Sequence, residues 1–139
     1  MGDDLAAANV NRSYSLAATS IAIFTFTLFF LYPKFASGEA NVLLFQAALV
    51  ALGVATFSFT FASFYYYCRS LGDRINDRDR ATFSWRGDRF WLLGYTLLFL
   101  TPSLILYSIR LIAVGSIWIA LWLVFLALVI TYFPKVRLR

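Results

Sequence analysis

Apolar residues along this chain fall into long uncharged runs separated by short polar ones. No charged residue occurs over 14–32 or over 42–67, and the 44 residues 90–133 carry a single charge, Arg110. A bilayer core is crossed by about 20 helical residues at about 1.5 Å each. The first two runs therefore predict one span each. The third would measure about 66 Å as one helix, twice the core, so it predicts a hairpin. Its turn is expected between Arg110 and Ser116, with Gly115-Ser116 as the best breakers. The pattern predicts an all-α polytopic membrane protein. It is a four-transmembrane-helix bundle in a single domain, with spans at about 14–32, 42–67, 90–110 and 114–133.

The polar segments set the expected boundaries. Residues 1–12 read as a short loose tail, with Asn9 or Asn11 as a cap and Pro33 as the stop of the first helix. A second helix is expected from near Asn41. Residues 69–89, RSLGDRINDRDRATFSWRGDR, hold six Arg and four Asp and read as a connecting loop, with Arg69 and Asp73 close enough to pair if its first turn is helical. Pro102 predicts a kink that frees a carbonyl near Leu98, with Thr101 or Ser103 nearby to bond it.

Composition agrees with the pattern. The chain is 61% hydrophobic and 14% charged, against roughly 45–50% and 25% in soluble domains. Its placement explains the net charge of +5. With four spans, Arg12, six arginines of 69–89, Lys135, Arg137 and Arg139 share one side, and only Lys34 and Arg110 lie on the other. The positive-inside rule then puts both termini in the cytoplasm, with no need for nucleic acid. Tyr65, Tyr66, Tyr67, Trp91 and Tyr132 fit one interfacial belt, and Tyr32, Tyr107 and Trp118 the other. The polar start shows no signal-peptide pattern, and Ala6 stands where a myristoylation site carries Ser or Thr.

Candidate chemistry is sparse. Histidine is absent, Cys68 is the one cysteine, and all seven Asp and Glu lie outside the expected spans. This disfavours histidine catalysis, metal clusters and proton-coupled pumping, which needs an intramembrane acid or base. No catalytic, cofactor-binding or metal site is expected. Asp73, Asp77 and Asp79 have arginine neighbours and read as pairing partners. Cys68 reads as a packed thiol, with palmitoylation as the alternative.

Polar residues within the spans fall on faces. Ser13, Ser20 and Thr27 are seven apart, as are Gln46, Gly53 and Thr60, with Thr56 and Ser63 interleaved. These are candidates for a pore-lining or a helix-packing face. Ala47, Ala51 and Ala55 form a small-residue face suited to close helix approach. Arg69, Arg74, Arg78 and Arg110 are candidate contacts for lipid headgroups or a partner.

Several residues also resemble the lysosomal and prokaryotic potassium-channel family whose pore helix opens with R-x-x-x-F-S-D. Here Arg12 is followed by Leu16-Ala17-Ala18 in place of F-S-D, then Ala22-Ile23 and Thr27-Leu28. Ser58-Phe59 with Tyr65-Tyr66, and Trp91 with Pro102, are similar to later family patterns. The resemblance covers three spans. It implies a pore lined by the first helix around an oligomer axis, with Ile23 as a constriction. The expected function is a small homo-oligomeric ion-conducting pore in a plasma or inner membrane. The alternative is a non-catalytic accessory or structural subunit of a larger membrane complex. A transporter of hydrophobic or cationic compounds ranks third.

Overall fold

The computed structural model describes residues 2–71 and 76–136. Four helices follow in order: α1 (Gly2–Ala36), α2 (Val42–Ser70), α3 (Asp77–Ser108) and α4 (Ile112–Val136). Each is long and apolar enough to cross a membrane, and no strand occurs among the described residues. The chain is thus an all-α, multi-pass membrane protein. Arg12 of α1, Arg69 of α2 and Arg78, Arg80, Arg86 and Arg89 of α3 lie at one end of the bundle, called here the basic end. The α1–α2 and α3–α4 turns form the hairpin end.

Three boundaries differ from expectation. The tail over 1–12 belongs to α1, which starts at Gly2. Leu5, Ala6, Ala7 and Ala8 are strong helix formers that carry the helix outward through Asn9 and Asn11. Pro33 lies inside α1, because a proline so near the end removes only one backbone bond. Gly38 makes the stop at φ 76°. The N–H groups of Gly38 and Glu39 donate to the carbonyls of Phe35 and Lys34 at 3.1 and 3.0 Å, a Schellman cap. Most of the expected 69–89 loop is also helix, since α3 begins at Asp77 with Asp77 and Asp79 favourably placed in its first turn.

The α3–α4 turn falls earlier than Gly115-Ser116. Arg110, not glycine, takes the left-handed position at φ 63°, and the Arg110 and Leu111 N–H groups donate to the Tyr107 and Leu106 carbonyls. Gly115 lies within α4, where a Cβ would come 3.1 Å from the Tyr107 ring. Its smallness serves close packing between α3 and α4. α2 does begin beside Asn41, whose Oδ1 accepts the Leu44 N–H at 3.1 Å. α3 runs through Pro102, and Thr101 Oγ1 donates to the Leu97 carbonyl at 2.9 Å.

α2 is the central helix, packing along α3 and α1, while α4 packs along α3 alone and meets the others only marginally. In lipid the hydrophobic effect does not drive helices together, so close packing and interhelical hydrogen bonds must. The α2–α3 seam shows how. Phe45, Leu52, Phe59 and Tyr66 are buried at seven-residue spacing on α2. Gly87, Gly94, Thr101 and Ser108 are buried at the same spacing on α3. The helices run antiparallel, so large residues meet small ones: Phe59 lies against Gly94 and Tyr66 against Gly87. The register closes at the hairpin end, where the Asn41 N–H donates to the Ser108 carbonyl at 2.8 Å.

Candidate functional site

The candidate residues of α1 are turned inward. Ser13, Ser20 and Thr27 are buried and continue a seven-residue series begun by buried Ala6. Ala48, Ala55 and Ala62 are buried on α2, so small side chains let the two backbones approach. One contact measures the approach: Ser63 Oγ donates to the Val10 carbonyl at 3.3 Å. Ser20 Oγ donates within its own helix to the Leu16 carbonyl at 2.9 Å. Ser13 Oγ and Ser103 Oγ are buried without a hydrogen-bond partner.

The polar series on α2 divides. Ser63 is buried, Gly53 and Thr56 are half-buried, and Gln46 and Thr60 are exposed. Thr56 and Thr60 return their hydroxyls to the backbone four residues earlier, at 2.9 and 3.0 Å. Of the alanine face, Ala51 and Ala55 are buried and Ala47 is exposed. The structure therefore joins Ser13, Ser20, Thr27 and Ser63 inside the bundle and leaves Gln46 and Thr60 on its outer surface.

Two side-chain links hold α2 to α3 at the basic end. Tyr66 donates its hydroxyl to Asp88 Oδ1 at 2.7 Å, and Arg69 Nη1 donates to Ser84 Oγ at 2.9 Å. Arg69 is thus half-buried within the fold. A hollow of about 390 Å³ beside these links is lined by Arg69, Asp77, Arg80, Ala81, Ser84 and Asp88. Arg12 reaches over from α1, with its guanidinium 5.3 Å from the Trp91 ring centroid.

The remaining headgroup candidates separate in space. Arg78 is exposed on the first turn of α3, and Arg110 is exposed in the α3–α4 turn. Arg74 lies outside the described residues, as do Asp73, Arg137 and Arg139. Cys68 is half-buried. Among the described residues no group of three or more acidic, histidine or cysteine side chains converges as a metal site would require.

A mainly apolar hollow is not legible in the sequence. A hollow of about 430 Å³ opens toward the hairpin end between α1, α3 and α4. Ile23, Phe26, Thr27 and Leu31 line it from α1, Leu98, Thr101, Pro102, Ile105 and Leu106 from α3, and Trp118 from α4. It exists because α4 docks on the side of α3 away from α2. There the Trp122 Nε1–H donates to the Thr96 carbonyl at 2.9 Å, Phe99 stacks on Phe125 at 5.1 Å, and the Tyr107 and Ser116 hydroxyls lie 2.8 Å apart. The glycine–hydroxyl series of α3 was the overlooked sequence signal for the α2–α3 seam. No known protein family, curated protein or solved structure matches this chain significantly.

Proposed function

We propose that the chain is a non-catalytic accessory or structural subunit that works by lateral packing in the membrane. The observation that carries this reading is the direction of its polar and apolar faces. Ser13, Ser20 and Thr27 are buried in the bundle, Thr27 at the wall of the hollow, while the surface left open is a mainly apolar hollow flanked by a scarcely buried α4. Such a hollow fits a helix of another membrane subunit, held by van der Waals packing. The arginine distribution supports placing both termini in the cytoplasm, in a plasma or inner membrane.

The chain purified alone then runs as a monomer in native mass measurements and carries no ion flux into liposomes. A photo-crosslinker at Leu106 or Trp118 in native membranes gives one discrete adduct. A homo-oligomer that conducts ions would overturn the proposal.

One observation favours the second reading, a homo-oligomeric pore. Gln46, Gly53 and Thr60 form an outward series on α2 that a ring of copies could turn to its axis. In that arrangement α2, rather than the α1 of the potassium-channel resemblance, lines the path. Ile23 then lines the apolar hollow instead of a constriction. Conductance altered by Thr60→Val but not by Ser20→Ala would support it.

A further inference from the structure

The outward face of α3 at the basic end has the chemistry of a lipid site. Arg89 is the last charge before the apolar run that continues to Arg110, so the polar–apolar boundary of the membrane passes beside it. A hollow of about 270 Å³ straddles that boundary, lined by Tyr65 from α2 and by Trp85, Arg86, Arg89, Phe90 and Leu93 from α3.

Its walls are fixed by ring contacts. The Arg89 guanidinium lies 3.7 Å from the Trp85 ring centroid, and Phe90 stacks on Tyr65 at 5.6 Å and 14°. Two arginines line the hollow and no carboxylate does. Asp88, their neighbour in sequence, is bonded to Tyr66. Arg86 has no ion-pair partner among the described residues. A second hollow, lined by Arg78, Ala81, Thr82 and Trp85, continues the strip outward and adds a third arginine.

We propose that this strip binds the headgroup of an anionic phospholipid, with its phosphate on Arg86 and Arg89 and its acyl stem over Phe90 and Leu93. Charge and depth together select this occupant. Guanidinium groups bind phosphate oxygens through paired N–H donors. The apolar floor below them needs a ligand that is anionic at one end and hydrocarbon at the other. Free phosphate or a soluble acidic peptide leaves that floor uncovered. The site is independent of whether the chain acts as a subunit or as a pore.

The test is native mass spectrometry of the full chain in detergent, with phosphatidylglycerol and phosphatidylcholine competing for retention. The wild type is expected to retain phosphatidylglycerol preferentially. The double variant Arg86→Gln/Arg89→Gln is expected to lose about tenfold of that preference, at about fivefold or less per arginine. Lys34→Gln, at the hairpin end, leaves it unchanged. Arg89→Lys keeps the charge without the paired donors, gives a partial loss, and serves if the double variant does not fold. No preference in the wild type, or a preference that survives in the folded arginine variants, overturns the proposal. Displacement of the lipid by millimolar inorganic phosphate would also overturn it, because the site would then be one for free anions.

Discussion

Replacing Gly94 with alanine puts a methyl group where α2 already stands. The new Cβ would lie 2.8 Å from Cε1 of Phe59 and 3.0 Å from Cδ1 and Cζ, against about 3.5–4.0 Å for relaxed carbon contacts. Phe59 has nowhere to retreat. It is completely buried, and Tyr95 meets it edge-on at 5.7 Å. Overpacking of this kind costs about 1–3 kcal/mol, while alanine returns up to about 1 kcal/mol of helix propensity over glycine. The expected net effect is a destabilisation of up to about 2 kcal/mol. Gly53 is the internal control, since a Cβ there meets nothing within 4 Å. Gly53→Ala keeps the propensity gain without the clash. The two variants can be compared by SDS-induced unfolding in mixed micelles, followed by far-UV circular dichroism. The order expected is Gly53→Ala, wild type, Gly94→Ala, with the extremes about 1–3 kcal/mol apart. Adding Phe59→Leu to Gly94→Ala should recover about 1 kcal/mol of coupling. If Gly94→Ala stabilises the protein as much as Gly53→Ala does, the large-to-small packing of α2 on α3 is wrong.

Three further substitutions probe other contacts, the first two by the same assay and the third by crosslinking. Tyr66→Phe removes the donor to half-buried Asp88 and should cost about 1.5 kcal/mol, the lower end for a bond to a charged group; no change would mean that solvent replaces the phenol. Arg110→Gly relieves a left-handed residue and should stabilise by about 1 kcal/mol, a gain that would be missing if Arg110 made a compensating contact. Trp122→Phe removes the N–H bond to the Thr96 carbonyl and should cost about 1 kcal/mol, seen as earlier loss of the α3–α4 contact in cysteine crosslinking between those helices; unaltered crosslinking would discount that bond as a tie.

Sequence reading succeeded where one local quantity was sufficient. An uncharged run either reaches across a bilayer or does not, and 44 residues can cross only by turning back. It failed at helix ends that depend on several residues together. Pro33 predicts a stop, yet the cap is formed by Gly38 with the Phe35 and Lys34 carbonyls. The turn falls at the start of its expected range, Arg110 to Ser116, but Arg110 rather than Gly115 makes it, and Gly115 accommodates Tyr107. The 69–89 segment reads as loop because its charges resemble solvated chain, but α2 runs on to Ser70 and α3 carries the charges from Asp77 to Arg89 as a helical extension at the basic end.

By itself, the sequence determined the number of apolar helices and the all-α class. Bilayer thickness and the cost of burying charge act on each segment separately. Only the tertiary structure decided which face of each helix is inside. In water an apolar stripe marks the buried face, but in lipid both faces of a span are apolar and hydropathy gives no direction. Ser20 and Thr60 look alike along the chain, yet one is sealed between α1 and α2 and the other lies on the surface. What separates them is the partner helix: Ser20 falls on the α1 series that meets the alanines of α2, whereas Thr60 lies one position past Phe59, on the far side of the α2 seam that fits Gly94.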